Sequence, residues 1–546
     1  MTAISSFNIM NEPWIEVLDV EGRPRVVSIK EVFRESPRLR NIAGELPTQD
    51  AAILRLLLAI LHRALPVDGD DEVIRRTWGR WWSARTLPMP TIDRYLDDWT
   101  DRFDLLDPTR PFFQVADLHT ASGHTSGLSA LIGDLPVGHK FFTTRAGDGV
   151  AALSLAEATR WLVHCQAFDP SGIKSGAVGD DRVKGGRGYP IGTGWAGNLG
   201  LIIVEGETLV ETLLLNLVLT TRSHDEDLPP WEAADWSAAT SGREIPRGPA
   251  DALTWQSRRV RLHVQDGHVV DALVSNGDRI RVRNQDNVET MSGWRRSAPQ
   301  EKKHGEEPVY LPRTHNPERA IWRGLASLIA ASDVVMGRRT GAQTLIAANV
   351  SWVGDLRAHE QVDPDAAVTL HTVGVQYGTH NAFIEAVISD RLTLHAEILH
   401  APELQDCAQR AVRIVDAVVQ RIGVLAANLA RASGRDGDGD RSRAMEQCLQ
   451  RFDPVYRSWL IDLTSTSLED HEATWRHRAR GLALAMGEEM LMAAPRLALR
   501  GRVVTDRNNK QILLDAALAH RRFVHQILSD IPKNDNNQPI PHEESA

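Results

Sequence analysis

Residues suited to binding a polyanion are concentrated between positions 171 and 200. Ten of these thirty residues are glycine, and four cations are interleaved with them: Lys174, Arg182, Lys184 and Arg187. Glycine lets the main chain come close to another surface, and exposed amides beside a few cations favour a phosphate backbone over a small substrate. A flexible surface insertion would have the same composition. The stretch is therefore a candidate nucleic-acid-binding loop, with the insertion as the alternative.

Motifs for enzymatic chemistry are weak by comparison. Residues 192–197 spell G-x-G-x-x-G, but they precede a strand-like run at 199–206, whereas a dinucleotide site needs the motif after a strand and at the start of a helix. Neither G-x-S-x-G nor H-E-x-x-H occurs in the sequence. An enzyme that uses the glycine-rich loop as a phosphate cradle stays open as a second hypothesis.

Two further groups of polar residues could contact DNA. Strand-like alternation at 369–377 and 382–395 predicts a hairpin whose tip contains His380 and Asn381. Such a tip could reach a minor groove, where amides and cations find base acceptors, or it could be a plain turn. Arg295 and Arg296 crowd a polar loop that could equally be a solvated surface.

Composition limits the class of protein. The chain has 546 residues and a formal net charge of −10, which excludes a protein that coats nucleic acid over its whole surface but not a local basic patch. Cys165, Cys407 and Cys448 are too widely spaced for a disulfide framework or a zinc pair. With no apolar run of eighteen residues and no signal-peptide pattern, we expect a cytoplasmic protein without membrane contact or cofactor.

Helical patterning changes near residue 400. The N-terminal part mixes strands with helices, including helices predicted to begin at Thr48 and Ser154 as N-caps. Four long amphipathic stretches then follow at 403–432, 442–463, 468–493 and 508–530. We predict an α+β domain over 1–398, an antiparallel four-helix bundle over 399–531 and a disordered tail over 532–546.

Several stretches, taken in order, resemble the CasA family, the large subunits of type I-E CRISPR Cascade surveillance complexes. The similarity lies in residues 7–15 (FNIMNEPWI), 111–114 (PFFQ), 213–217 (LLLNL), 230–231 (PW) and 253–256 (LTWQ), and in the glycine-rich stretch, the hairpin tip and the helical C-terminal region. It covers nearly the whole chain. The resemblance implies a mixed α/β N-terminal domain of unusual topology with a C-terminal all-α antiparallel four-helix bundle.

The resemblance also implies a non-catalytic role in antiviral defence. A subunit of this family sits at the 5′-handle end of the guide RNA complex, beside other protein subunits that include the small subunits. It probes double-stranded DNA for the protospacer-adjacent motif through the minor groove, helps to open the strands for R-loop formation, and recruits a helicase–nuclease. A scaffold protein without direct DNA readout is the third hypothesis.

Site residues follow from the resemblance position by position. The family's glycine loop, which lies in the minor groove, corresponds to Gly179, Lys184, Gly185, Gly186, Arg187 and Gly188. Its wedge corresponds to His380 and Asn381, where related proteins carry Asn-Gln. The minor-groove lysine of some relatives corresponds to Arg295 or Arg296.

The family's anchoring loop, which holds the subunit in the complex, corresponds to Phe142, Thr143, Thr144 and Arg145. Some relatives carry a cysteine cluster suited to zinc. The corresponding residues here, 267–287, contain no cysteine, so we expect no zinc.

Overall fold

The chain folds into two compact units, Met1–Leu392 and Thr393–Ala546, in a computed structural model that describes residues 6–133, 135, 151–219, 225–234, 236–329, 342–505 and 511–532. The first unit combines helices and strands, and the second is mainly helical. The predicted mixed α and β fold with a helical C-terminal region is therefore confirmed. The division falls a few residues before the predicted boundary at 398.

The strands of the described residues are short, and they lie in several small sheets. Their bounds are β1 Ile15–Asp19, β2 Pro24–Val27, β3 Leu39–Ile42, β4 Leu153–Ser154, β5 Lys174–Ser175, β6 Arg187–Gly188, β7 Leu201–Glu205, β8 Arg258–Gln265, β9 His268–Asn276, β10 Trp294–Arg296, β11 Tyr310–Pro312, β12 Thr344–Leu345, β13 Ala367–Tyr377, β14 Ile384–His395, β15 Arg502–Thr505 and β16 Gln511–Leu514. The sheet orders are β2-β1-β3, β4-β9-β8, β5-β6, β11-β10-β12, β14-β13-β7 and β15-β16.

The helices range from single turns to long C-terminal rods. Their bounds are α1 Ile29–Glu35, α2 Pro47–Ala64, α3 Asp71–Ala84, α4 Met89–Asp98, α5 Leu155–Phe168, α6 Leu209–Asn216, α7 Pro249–Leu253, α8 Ala298–His304, α9 Ala326–Ile329, α10 Ala348–Ala358, α11 Pro402–Ala432, α12 Asp438–Ile461, α13 Leu468–Met492, α14 Arg496–Arg500 and α15 Ala516–Asp530. None of the helices in the described ranges is long and apolar enough to cross a membrane.

Helix α2 forms the centre of the first unit. Nearly all of its residues are buried, including Arg55, whose guanidinium donates to both carboxylate oxygens of Glu289 at 2.8 and 2.9 Å. Pro47 occupies the first helical position, where a missing N–H costs nothing. The prediction of Thr48 as N-cap is therefore wrong: it lies inside the helix, and its hydroxyl contacts His164 Nε2 at 3.0 Å.

Helix α5 leads directly into the glycine-rich stretch. Its predicted N-cap is confirmed, because the Ser154 hydroxyl accepts a hydrogen bond from the main-chain N–H of Glu157 at 3.2 Å. The helix is buried along most of its length and ends at Phe168. The residues that follow, beginning with Asp169, thus start from a rigid support.

In the second unit, α11 packs against α12, α13 and α15. These four long helices correspond to the four predicted stretches, while their antiparallel bundle arrangement stays a prediction. The predicted helix over 508–530 is wrong at its start, because Gln511–Leu514 pairs with Arg502–Thr505 as a hairpin rich in Val, Ile and Leu. Helix α15 begins only after Asp515, whose side chain caps it. Apart from residue 532, the predicted disordered tail lies outside the described residues.

Candidate nucleic-acid interface

The glycine-rich stretch contains a small β-hairpin, which the prediction of an irregular loop missed. Strands β5 and β6 pair with Lys174 opposite Gly188. Lys184 and Arg187 exchange two main-chain hydrogen bonds, of 3.1 and 3.2 Å, around Gly185 and Gly186. Both glycines have positive φ, 58° and 73°, as a type I′ turn requires. Glycine is therefore needed at both positions to close a tight turn.

The turn of this hairpin is exposed to solvent. Lys184, Gly185, Gly186 and Arg187 are all exposed, and a Cβ added at either glycine would meet no atom within 4 Å. In the part of the chain that the structure describes, no carboxylate pairs with the Lys184 ammonium or the Arg187 guanidinium. We call these four residues the glycine turn. It offers two uncompensated cations on a main chain that another surface can approach closely.

Two other predicted residues of the stretch differ in exposure. Gly179 is exposed and has a φ of 95°, a conformation that other residues rarely adopt. Gly188 is buried, and a Cβ there would come within 2.9 Å of the Asn276 amide nitrogen. Gly188 therefore allows the hairpin to pack against β9 and does not itself present a binding surface.

The remaining cations of the stretch are used inside the protein. The Lys174 ammonium contacts the Asp169 carboxylate at 2.5 Å, and both groups are largely buried. The Arg182 guanidinium pairs with Asp180 at 2.8 Å and donates to the carbonyl of Gly277 at 2.9 Å. These two cations hold the hairpin in place, which leaves Lys184 and Arg187 for an external partner.

A buried ion cluster fastens both ends of the stretch, and sequence patterning gave no signal for it. The Arg258 guanidinium bonds to the Asp169 carboxylate, to the carbonyl of Pro170 at 3.1 Å and to the carbonyl of Gly192 at 2.8 Å. Burial alone would raise the pKa of Asp169, but the positive charges of Lys174 and Arg258 outweigh it and hold that pKa below its usual value. Arg258 thus fixes where the glycine-rich stretch leaves and rejoins the body of the first unit.

The G-x-G-x-x-G run at 192–197 serves packing. A Cβ at Gly194 would lie 2.5 Å from the main chain of Ala167, and one at Gly197 would lie 2.0 Å from the Tyr377 hydroxyl. The second half of the run lies in a 3₁₀ turn over Trp195–Asn198, and no long helix begins there. The motif accordingly lacks the helix N-terminus that would hold a phosphate.

Strands β13 and β14 form the predicted hairpin, with a 3₁₀ turn over Thr379–Asn381 at its tip. His380 and Asn381 have φ values of 58° and 55°, and both side chains are exposed. We call this tip the finger. The main-chain N–H of Ser171 donates to the carbonyl of Asn381 at 2.7 Å, and the Tyr377 hydroxyl donates to the carbonyl of Phe168 at 2.7 Å. The glycine-rich stretch and the finger are therefore neighbours.

A polar ladder crosses the sheet that carries the finger. His371 Nδ1 contacts Glu205 at 2.7 Å, its Nε2 contacts the Ser389 hydroxyl at 2.8 Å, and Arg391 donates to both Glu205 oxygens. Burial would raise the pKa of Glu205, but the hydrogen bonds from His371 and Arg391 lower it overall. Hydrolase triads use the same three group types. Here the guanidinium of Arg391 bonds to both oxygens of the carboxylate, so we assign the three groups a structural role.

The two arginines of β10 differ in availability. The Arg296 guanidinium bonds to Glu301 at 2.6 Å and also to Glu307, so its charge is compensated. These bonds raise the pKa of Arg296, with the Glu301 contact as the largest cause. Arg295 is exposed, and within the described ranges no carboxylate pairs with it. Of the two candidates, only Arg295 can offer a free charge to a phosphate.

The four residues of the predicted anchoring loop, Phe142, Thr143, Thr144 and Arg145, lie outside the described residues.

Comparisons with known proteins identify the family. The family model for CRISPR-associated protein Cse1 matches residues 8–486. A crystal structure of Thermobifida fusca Cse1 is 40% identical, with a TM-score of 0.87 over 97% of this chain and 98% of that chain. CasA/Cse1 of Thermus thermophilus is 26% identical over 89% of this chain and 92% of its own length. This chain belongs to the Cse1 family of CRISPR-associated proteins.

A chain in a structure described as a CRISPR RNA-guided surveillance complex shares the fold. It is 20% identical, with a TM-score of 0.63 over 96% of this chain and all of that chain.

Proposed function

We propose that this protein is a non-catalytic subunit of an RNA-guided CRISPR surveillance complex that probes double-stranded DNA for a short flanking motif. Membership of the Cse1 family supports the assignment to such a complex. The observation that carries DNA probing is the 2.7 Å hydrogen bond from Ser171 to Asn381, because it joins the stretch bearing the exposed glycine turn to the exposed finger.

Duplex capture depends on the glycine turn. Lys184 and Arg187 neutralise phosphates, which supplies affinity without sequence preference and makes binding weaker at high salt. Gly185 and Gly186 leave the main chain open to close approach, since nothing lies within 4 Å of the positions where their Cβ atoms would be. Minor-groove readout is degenerate, so the turn accepts several related motifs.

Strand opening depends on the finger. The exposed side chains of His380 and Asn381 enter the duplex next to the motif and unstack one base step, at a cost of a few kcal/mol. Because exchange of a DNA duplex for a guide RNA–DNA duplex is nearly balanced in energy, a cost of this size is enough to control opening. Docking at the 5′ handle and recruitment of a helicase–nuclease are parts of the proposal that rest on the family resemblance.

The decisive experiment begins with co-purification of the chain with a guide RNA complex. The assembled complex is then offered duplexes that differ only in the flanking motif, with gel shifts for capture and permanganate footprints for opening. We expect motif-dependent capture that is lost without this chain. A complex that binds every duplex equally with and without the chain would leave only a scaffold role. Nucleotide hydrolysis or DNA cleavage by the purified chain would contradict the non-catalytic assignment.

A further inference from the structure

An exposed aromatic side chain lies on the same hairpin as the glycine turn. Tyr189 is 53% exposed, and it is the one aromatic among the strongly exposed large hydrophobic side chains of the described residues. Ile173, which is 57% exposed, takes the position across the hairpin, since Lys174 pairs with Gly188. Covering both side chains with a partner would remove apolar surface from water, which is favourable.

Tyr189 is the residue directly after β6. Arg187 is exposed, Gly188 is buried against β9, and Tyr189 is exposed again. Arg187 and Tyr189 are thus the exposed residues on either side of the buried Gly188. The hydrogen bond from Asn276 Nδ2 to the Tyr189 carbonyl, at 2.7 Å, fixes the main chain there.

The position of Tyr189 relative to the finger suggests what covers it. Ile173 lies two residues beyond Ser171, whose N–H donates to the carbonyl of Asn381. Along the hairpin, Tyr189 is two residues from Arg187, and the strand opposite it leads to the residue that contacts the finger. Inside a closed duplex the faces of the bases are occupied by their neighbours, so only an unstacked base can lie on the ring.

We propose that Tyr189, supported by Ile173, is a stacking platform for a nucleobase of the DNA step that the finger opens, with Arg187 on the adjacent phosphate. This inference rests on the proposed function and adds a residue to it. Cations beside the ring favour a polyanionic partner. The apolar surface of two side chains is also far smaller than the roughly 1,200 Å² that a specific protein–protein interface buries. The platform lowers the free energy of the opened step and leaves capture of the closed duplex unchanged.

The test uses the assembled complex with 2-aminopurine placed at the base pair next to the motif, in each strand in turn. We expect Tyr189→Ala to lower the fraction of opened duplex about tenfold, in keeping with a base stacked on an aromatic ring. Tyr189→Phe keeps the ring and should open DNA as well as the wild type does. Tyr189→Leu should open a fraction between those of the wild type and Tyr189→Ala. Val178→Ala, which trims another exposed hydrophobic residue of the same stretch, is the matched control and should change nothing.

The outcomes separate this inference from the proposed function. If Lys184→Ala leaves duplex capture unchanged, the proposed function itself fails. If Lys184→Ala weakens capture while Tyr189→Ala opens DNA as well as the wild type, the platform alone is refuted. Loss of co-purification with the guide RNA complex in Tyr189→Ala, with an unchanged melting temperature, would mean that a protein subunit covers the ring, which also overturns the inference.

Discussion

The main-chain N–H of Ser171 donates a hydrogen bond of 2.7 Å to the main-chain carbonyl of Asn381, although the two residues are far apart in sequence. The contact joins the beginning of the glycine-rich stretch to the finger. It uses only main-chain atoms, so it does not occupy the Asn381 side chain. In the described residues that side chain is exposed and makes no hydrogen bond to protein.

Substitutions of Asn381 should separate opening from capture. Asn381→Gly keeps the left-handed main chain, with its φ of 55°, and the carbonyl that receives Ser171, but it removes the side chain. We expect permanganate reactivity to fall several-fold in the assembled complex, with capture within about twofold of the wild type. Asn381→Ala should reduce permanganate reactivity somewhat more, because alanine in the left-handed conformation costs about 1 kcal/mol of conformational free energy. Wild-type opening by Asn381→Gly would show that the side chain takes no part.

Gly185 should tolerate only residues that adopt positive φ. At a φ of 58° with open space around it, Gly185→Asn keeps the turn, while the β-branched side chain of Gly185→Val strains it by roughly 1–2 kcal/mol. Duplex capture measured by gel shift should remain near wild type for asparagine and weaken at all sequences for valine. Hydrogen exchange of the hairpin amides reports the turn directly. Equal capture by both variants would argue against a role for the turn.

Arg295 and Arg296 form a matched pair of cations. Arg295→Ala should weaken duplex binding and reduce the slope of log K against log salt by about 1, as expected for one lost phosphate contact. Arg296→Ala should change neither quantity, because its guanidinium is already compensated by Glu301 and Glu307. Titrations of the assembled complex at several salt concentrations measure both. An equal loss from the two variants would contradict the assignment of Arg295 alone.

Breaking the buried ion cluster should destabilise the first unit. Asp169→Asn leaves Lys174 and Arg258 buried without their counter-charge, which costs about 3–5 kcal/mol of the free energy of unfolding. Asp93→Asn is the control, since its ion pair with Arg34 is half exposed and should contribute less than about 1 kcal/mol. Urea denaturation followed by tryptophan fluorescence compares the two. If both variants unfold at the same urea concentration, the cluster does not carry the stability assigned to it.

His164 predicts a particular dependence on pH. Burial lowers the pKa of His164 to about 4 from its ordinary value near 6.5, so the unfolded chain takes up a proton at a pH where the folded chain does not. Above pH 6.5 the titration of His164 does not lower the free energy of unfolding. As the pH falls from 6.5 towards 4, it lowers that free energy by no more than about 1.4 kcal/mol per pH unit. His164→Gln should give a flatter melting-temperature profile over this range. Parallel profiles for the two proteins would contradict the prediction.

Local rules predicted the elements of the interface but not its arrangement. The finger hairpin and the Ser154 cap follow from alternation and side-chain chemistry within a few residues, and both are present in the structure. The β5–β6 hairpin was missed because its paired strands are two residues each and carry no apolar alternation. Even so, two adjacent glycines between Lys184 and Arg187 are the sequence signal of a type I′ turn.

Long-range electrostatics could not be predicted from spacing. Arg258 lies far from Asp169 and Gly192 in sequence, and nothing in its neighbourhood distinguishes it from Arg259, which pairs with Asp278 instead. The same applies to Arg296, because its charge is compensated only where α8 places Glu301 beside β10. The fold decides which of the predicted cations pair with a carboxylate. Among those predicted cations, it leaves Lys184, Arg187 and Arg295 as candidates for phosphate contacts.

The close fit between Gly197 and Tyr377 has a consequence for exchanging parts between relatives. A Cβ at Gly197 would lie only 2.0 Å from the Tyr377 hydroxyl. The strand that carries the finger therefore packs closely against the last residues of the glycine-rich stretch. A finger transferred alone into a relative would lack the residues against which its strand packs. A working chimaera must therefore carry residues 165–200 and 367–395 together, as one transferable cassette.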